Sequence, residues 1–197
     1  MSKAERTSKF IIEKAAPIFN KKGYAGTSLN DLIEATGLTK GAIYGNFNNK
    51  DEVALAAFDY NLSYISKPIT EMIRAKENSV EKLLAIPEFY KKWYVHYAER
   101  GGCAMLNAAV EADDNHPLLK KKVAATVNSW KKSIEKIIIS GISNKEIKSG
   151  IDPSKMSSTF IALIEGGIMM SKITDDTSHL NAAMERMEQI INMELRK

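Results

Sequence analysis

The 197-residue sequence has one cysteine, Cys103. No disulfide can form within the chain, which fits a reducing compartment. Long apolar runs are also missing. The most apolar stretch, residues 160–170, is interrupted by Glu165 and falls short of the roughly 20 residues a membrane-spanning helix needs. The first six residues are charged and hold no apolar stretch of signal-peptide length. A cytoplasmic protein without a membrane segment is therefore expected. Proline is scarce, five in all, and is expected mostly at helix starts. No run alternates apolar and polar residues as a half-buried strand would. There is no glycine-rich nucleotide loop, no Ser/His/Asp or Cys/His set and no metal-ligand spacing. These absences argue against an enzyme, and no cofactor or metal is expected.

What is present begins with charge. The first 50 residues carry eight basic and four acidic side chains, whereas residues 51–197 carry twenty of each. The whole excess of +4 sits in the first quarter, as expected of a polyanion-binding head on a neutral body.

The apolar periodicity is helical throughout. Ile11, Ala15, Ile18 and Phe19 give the first helix, about 4–21, an apolar stripe, and Gly23 supplies its stop. A short helix follows, capped by Thr27 or Ser28, with Asp31 at capping-box spacing from Ser28 and Leu29, Leu32 and Ile33 inward. Gly37 ends it in a left-handed conformation. Thr39 caps a third helix of barely two turns, leading through Ile43 and Tyr44 to Phe47. A long helix then runs to about residue 75, with Pro68 expected to kink it or end it early. Later helices are expected at about 79–100, 103–113, 117–140, 153–172 and 178–195. Pro117 and Pro153 stand at two of the starts, and Pro87 suggests a kink.

The segment Thr27–Lys50 thus reads as helix, tight glycine turn, helix. In a DNA-binding helix-turn-helix the first helix crosses the backbone and the second enters the major groove. The residue types suit that task. Thr27, Ser28 and Thr39 stand at helix starts that offer N–H groups to phosphates. Lys40, Tyr44, Asn46 and Lys50 can reach phosphates or base edges. Gly41 and Ala42 are small enough for close approach. Phe19, Leu32, Ile43 and Phe47 are the expected core of this small domain.

Residues 6–55 resemble the N-terminal domain of the TetR family, the tetracycline-repressor-like regulators of bacteria. The resemblance rests on Arg6, Ile11, Ala15 and Phe19, then Gly23-Tyr24, Thr27-Ser28-Leu29 and Asp31-Leu32-Ile33. It continues through Ala35, Gly37-Leu38, the run Thr39-Lys40-Gly41-Ala42-Ile43-Tyr44, Phe47 and Lys50. Gly45-Asn46 departs from the bulkier pair the family usually carries there. The resemblance implies an all-α chain: a three-helix helix-turn-helix domain in residues 1–50 (motif about 28–47) and a larger helical effector-binding and dimerisation domain in residues 51–197. It implies a transcriptional regulator, a repressor of double-stranded operator DNA under the control of a small-molecule effector. It further implies a homodimer built through the last two helices. Thr159, Ala162, Gly166 and Gly167 offer small residues there, with Ile161, Ile164 and Ile168 adding apolar area. Dimerisation also follows from geometry, since one short recognition helix reads too few bases and two heads must bind paired half-sites. The competing reading is a helical protein-interaction adaptor without specific DNA binding.

Pockets for small molecules are mostly apolar with a few polar groups. The candidates for the effector site are Trp93, Tyr97, Met105, Glu111, Trp130, Phe160, Glu165 and Met169, although for any single one of them ordinary core packing is the stronger reading. Cys103 reads as a small residue at a helix start, with a sensor thiol as the alternative. Asp113, Asp114 and His116 lie close in sequence, but nothing else converges on them as a metal site.

Overall fold

The computed structural model describes the backbone of all 197 residues and the side chains of all but Tyr97, Asp113, Asp114 and Asn115. The helices are α1 (Lys3–Gly26), α2 (Leu29–Thr36), α3 (Lys40–Tyr44), α4 (Lys50–Arg74), α5 (Ser79–Ala98), α6 (Ala104–Asn115), α7 (Pro117–Ser143), α8 (Pro153–Thr174) and α9 (Ser178–Gln189). The last continues as a π-helical segment, Ile190–Leu195. Among the described residues extended pairing is limited to one antiparallel bridge, Ile147 with Arg196. The expected starts hold: Thr39 accepts from the Ala42 N–H, and Asp152 caps α8 with Pro153 in its first turn. The prolines do not. Pro17, Pro68 and Pro87 lie inside α1, α4 and α5. A proline removes one helical donor; Pro17 and Pro87 have buried neighbours on both sides (Ala16 and Phe19, Ile86 and Phe89), and Pro68 is followed by buried Ile69.

The chain forms two compact units. The first holds residues 1–65 with 104–123. Its core joins Ile11, Ala15 and Phe19 of α1, Leu32 of α2, Ile43 and Phe47, and Val53, Ala54 and Ala57 of α4. Each fully buried Leu or Ile stabilises by about 1.5–3 kcal/mol. A cut at residue 50 does not coincide with this unit, because the first turns of α4 complete the core and α6 packs on α1. The second unit holds residues 66–103 with 124–197. There α8 and α9 pack along each other and against α5. Phe160, Ile164 and Ile168 on α8 and Leu180, Met184 and Met187 on α9 are buried at helical spacing.

Candidate nucleic-acid interface

The joint between α1 and α2 starts at Gly23, whose backbone leaves the helical region at φ 76°, ψ 174°. After it, the Thr27 hydroxyl donates to the Gly23 carbonyl at 2.6 Å. Ser28 and Asp31 then form a full capping box: the Asp31 N–H donates to Ser28 Oγ at 3.2 Å, and the Ser28 N–H to Asp31 Oδ2 at 2.7 Å. Lys22 adds an ion pair to Asp31 at 2.6 Å. Its ammonium, with the Ser28 bonds, holds the Asp31 carboxyl well below the usual carboxylate range. Gly37, at φ 66°, turns the chain into α3. The helix-turn-helix is therefore assembled on Leu32 and Ile43, both fully buried, with Thr39, Lys40 and Gly41 exposed at its leading end.

The sequence-predicted DNA residues divide by exposure. Ser28, Thr39, Lys40 and Gly41 are exposed, and Ala42 and Tyr44 are partly buried. Thr27 is 0% exposed and its hydroxyl closes the turn at Gly23, so the exposed start of α2 is Ser28. Asn46 and Lys50 are also engaged. The Asn46 amide donates to Ala42 O at 2.9 Å and its Oδ1 accepts from the Ser8 hydroxyl at 3.2 Å. Lys50 Nζ lies 4.3 Å from the centre of the Tyr24 ring, a cation–π contact.

Tyr24 is the hub that sequence reasoning missed. Its hydroxyl donates to Asp51, and its ring meets His116 edge-on at 4.4 Å. The hydrogen bond to Asp51, and then burial, push its phenol up to about 12. Its backbone N–H donates to Glu111 Oε2 at 2.6 Å, and the Ala25 N–H donates to Glu111 Oε1, also at 2.6 Å. One turn earlier on α6, Asn107 Nδ2 donates to Asn20 O at 3.0 Å and to Asn20 Oδ1 at 3.1 Å. Nothing local in the sequence announces these contacts, which join residues 86 or 87 positions apart. Only the i, i+4 spacing of Asn107 and Glu111 on one helix face hints at a shared target.

The eight effector candidates are not gathered into one compact unit. Met105 and Glu111 belong to the first unit and Trp93, Trp130, Phe160, Glu165 and Met169 to the second; the side chain of Tyr97 lies outside the described residues, as do those of Asp113 and Asp114. Glu111 spends both carboxylate oxygens on backbone donors of the Gly23 joint. Met105 and Phe160 are buried. Met169 is 51% exposed and lines no enclosed site by itself. Trp93 stacks on Phe89 at 5.5 Å and meets His96 edge-on. Trp130 is half-buried. A small cleft of about 40 Å³ opens among α1, α4 and α6. Of the described candidates only Glu111 lines it, beside Asn20, Tyr24, Phe58 and Asn107.

In the second unit Glu165 Oε1 accepts from Cys103 Sγ at 3.2 Å, while its buried Oε2 has no hydrogen-bond partner. Burial raises this carboxyl to about 7. Nearby Tyr90 is pushed well above the ordinary phenol range, first by its own burial and then by Glu165. Among the described residues no cluster of His, Cys, Asp or Glu has a metal-binding arrangement, and no helix is long and apolar enough to cross a membrane.

The helices expected to dimerise carry an open face. Thr159, Ala162, Met169, Met170 and Ile173 on α8 are exposed, Ile173 at 82%. A side chain added at Gly166 would meet nothing within 4 Å. Of the other residues expected there, Ile161 is half-buried and three serve the chain's own core. Ile164 and Ile168 are buried, and Gly167 lies where an added Cβ would come within 3.0 Å of Leu180 and 3.1 Å of Ala183. The cause is rotation around α8: these three lie on its buried side, with Gly167 against α9.

Residues 11–57 match the family described as bacterial regulatory proteins, tetR family, and residues 79–187 match the one described as tetracyclin repressor-like, C-terminal domain. A TetR-family transcriptional regulator from Cytophaga hutchinsonii is 44% identical, the match covering 98% of this chain and 96% of that one, with a TM-score of 0.93. A TetR transcriptional regulator from Chloroflexus aurantiacus is 33% identical over 100% of this chain and 99% of its own, with a TM-score of 0.91. The HTH-type transcriptional repressor DhaR of a Mycobacterium species is 22% identical over 163 residues, 83% of this chain and 81% of the relative. These likenesses favour a DNA-binding regulator over an adaptor, and the family is one of regulators, not of enzymes. The all-helical fold, the helix-turn-helix between Ser28 and Phe47 and the two family matches agree: this chain belongs to the TetR family of transcriptional regulators.

Proposed function

We propose that the chain works as a homodimeric repressor. Residues 1–50 of each protomer bind operator DNA, and residues 51–197 bind a small-molecule effector and the second protomer. The observation that carries the reading is the leading end of α3, where Thr39, Lys40 and Gly41 are exposed on a helix anchored by fully buried Ile43. Ser28, Ala42 and Tyr44 extend that surface. The side chains of Asn46 and Lys50 serve first to hold it, and that of Thr27 lies beneath it. The repressor sign is supported by the relative named a transcriptional repressor. The open face of α8 supports the dimer, and two heads give the paired half-sites that affinity requires. Among the effector candidates, the partnerless oxygen of Glu165 favours a ligand that donates a hydrogen bond. A cytoplasmic location fits a partner that is genomic DNA.

Selection of bound sites from genomic DNA, followed by mobility shift, tests the reading. Sequence-specific binding that weakens steeply with salt is expected. Lys40→Ala should lower affinity and reduce the slope of log K against log salt by about 1, while leaving the dimer intact. A protein that enriches no sequence at low salt would sink the proposal.

A further inference from the structure

In an unbroken helix the Tyr24 N–H would donate to the Asn20 carbonyl four residues earlier. At Gly23 the backbone departs from the helix, and both groups are held by α6. The Asn20 carbonyl accepts from Asn107 Nδ2 at 3.0 Å, and the Tyr24 N–H donates to Glu111 Oε2 at 2.6 Å. The second Glu111 oxygen takes the next donor, the Ala25 N–H, at 2.6 Å. The carboxylate occupies the space a side chain at residue 23 would need, since an added Cβ would stand 2.6 Å from Glu111 Oε2. Two residues one helical turn apart therefore close both sides of the break through which α1 passes into α2.

We propose that Glu111, aided by Asn107, is a positioning residue for DNA recognition: α6 clamps the Gly23–Ala25 joint and so sets the angle at which α2 and α3 are presented. The proposal rests on the DNA-binding reading above. The clamp has the chemistry for the task. A carboxylate accepting two backbone N–H groups makes charge-assisted bonds, shorter and stronger than neutral ones. It is also demanding in shape, because a glutamine of the same size offers one acceptor oxygen and turns its NH2 group toward the second donor. The joint leads directly to Thr27, Ser28 and the capping box, so freedom gained at Tyr24 and Ala25 is passed to the start of α2. Neither residue has to touch DNA.

The test compares Glu111→Gln, Glu111→Ala and Lys40→Ala in the full chain, on an operator recovered by selection. Operator affinity is read by mobility shift over a salt series, and backbone amide exchange by NMR. Glu111→Gln is expected to lose about ten-fold in affinity, the loss of one charge-assisted bond, and Glu111→Ala more. The salt slope should stay at the wild-type value for both, because no phosphate contact is removed. The Tyr24 and Ala25 amides should exchange faster while the thermal midpoint of Glu111→Gln falls by only a few degrees. Lys40→Ala should do the reverse, lowering the slope and leaving both amides protected. A Glu111→Gln protein that binds operator as the wild type does would show that only the bulk of the side chain matters and overturn the proposal. A lower salt slope in that variant would also overturn it, by making Glu111 part of the phosphate-contacting surface. Failure of the wild type to bind any DNA would refute the functional reading and the positioning role with it. The exchange of the two amides would still report whether the clamp exists.

Discussion

At the residue scale, Glu111 and Glu165 show how one side-chain type takes opposite roles through its surroundings. Glu111 meets two N–H donors, and both oxygens are used. Glu165 accepts from one thiol, and its burial dominates, raising its carboxyl to about 7. The sign of the consequence follows from linkage. Between the ordinary carboxylate range and about 7, the folded chain keeps a proton that the unfolded chain has released. Stability is therefore greatest at the acid end of that window and falls as pH rises through it. Glu165→Gln should remove the fall: the variant's thermal midpoint should exceed wild type at pH 8, with the difference shrinking toward pH 5. An equal difference at both pH values would mean that burial of the charge is not what matters there. Both glutamates stood out in the sequence as possible effector contacts. Neither role was legible there, because each depends on residues brought close only by folding.

At the element scale, local chemistry and outcome agree closely. The pattern Ser28…Asp31 predicts a capping box, and the reciprocal bonds form. Thr39 predicts the start of α3, and its hydroxyl accepts from the Ala42 N–H. Ser28→Ala should cost about 1 kcal/mol in chemical denaturation, the usual value of an N-cap. Much less would mean that the Lys22–Asp31 pair and the α6 clamp already hold the start of α2 without the cap. The prolines strain that agreement most. Pro68 and Pro87 each remove a helical donor, yet α4 and α5 run through them, with Ile69 buried next to Pro68 and Ile86 and Phe89 buried around Pro87. Propensity is a local quantity, and tertiary burial outweighs it.

At the scale of the whole molecule, the open face of α8 is the feature that a single chain leaves unexplained. Thr159, Ala162, Gly166, Met169 and Ile173 recur at helical spacing on one side, small residues first and large apolar ones after. Close helix contact needs small residues, and apolar area supplies the driving force. Ala162→Arg places a long charged side chain on this face without touching the buried side of α8. The mass measured by light scattering should drop from dimer to monomer and operator affinity should fall with it, while the helical circular dichroism is kept. An unchanged mass would move the dimer interface elsewhere.

The sequence by itself determined the helical class, the helix starts, the helix-turn-helix with its core of Phe19, Leu32, Ile43 and Phe47, and the family. All of these depend on spacing within a few residues or on a contiguous run, which is information a sequence carries directly. Only the tertiary structure decided which of the predicted contact residues are exposed. It buried Thr27, engaged Asn46 and Lys50, turned Ile164, Gly167 and Ile168 into the chain's own core and gave Glu111 to the joint at Gly23. Those outcomes depend on which helix packs against which, and at what rotation. That is settled by the summed burial and hydrogen bonding of residues up to 87 positions apart.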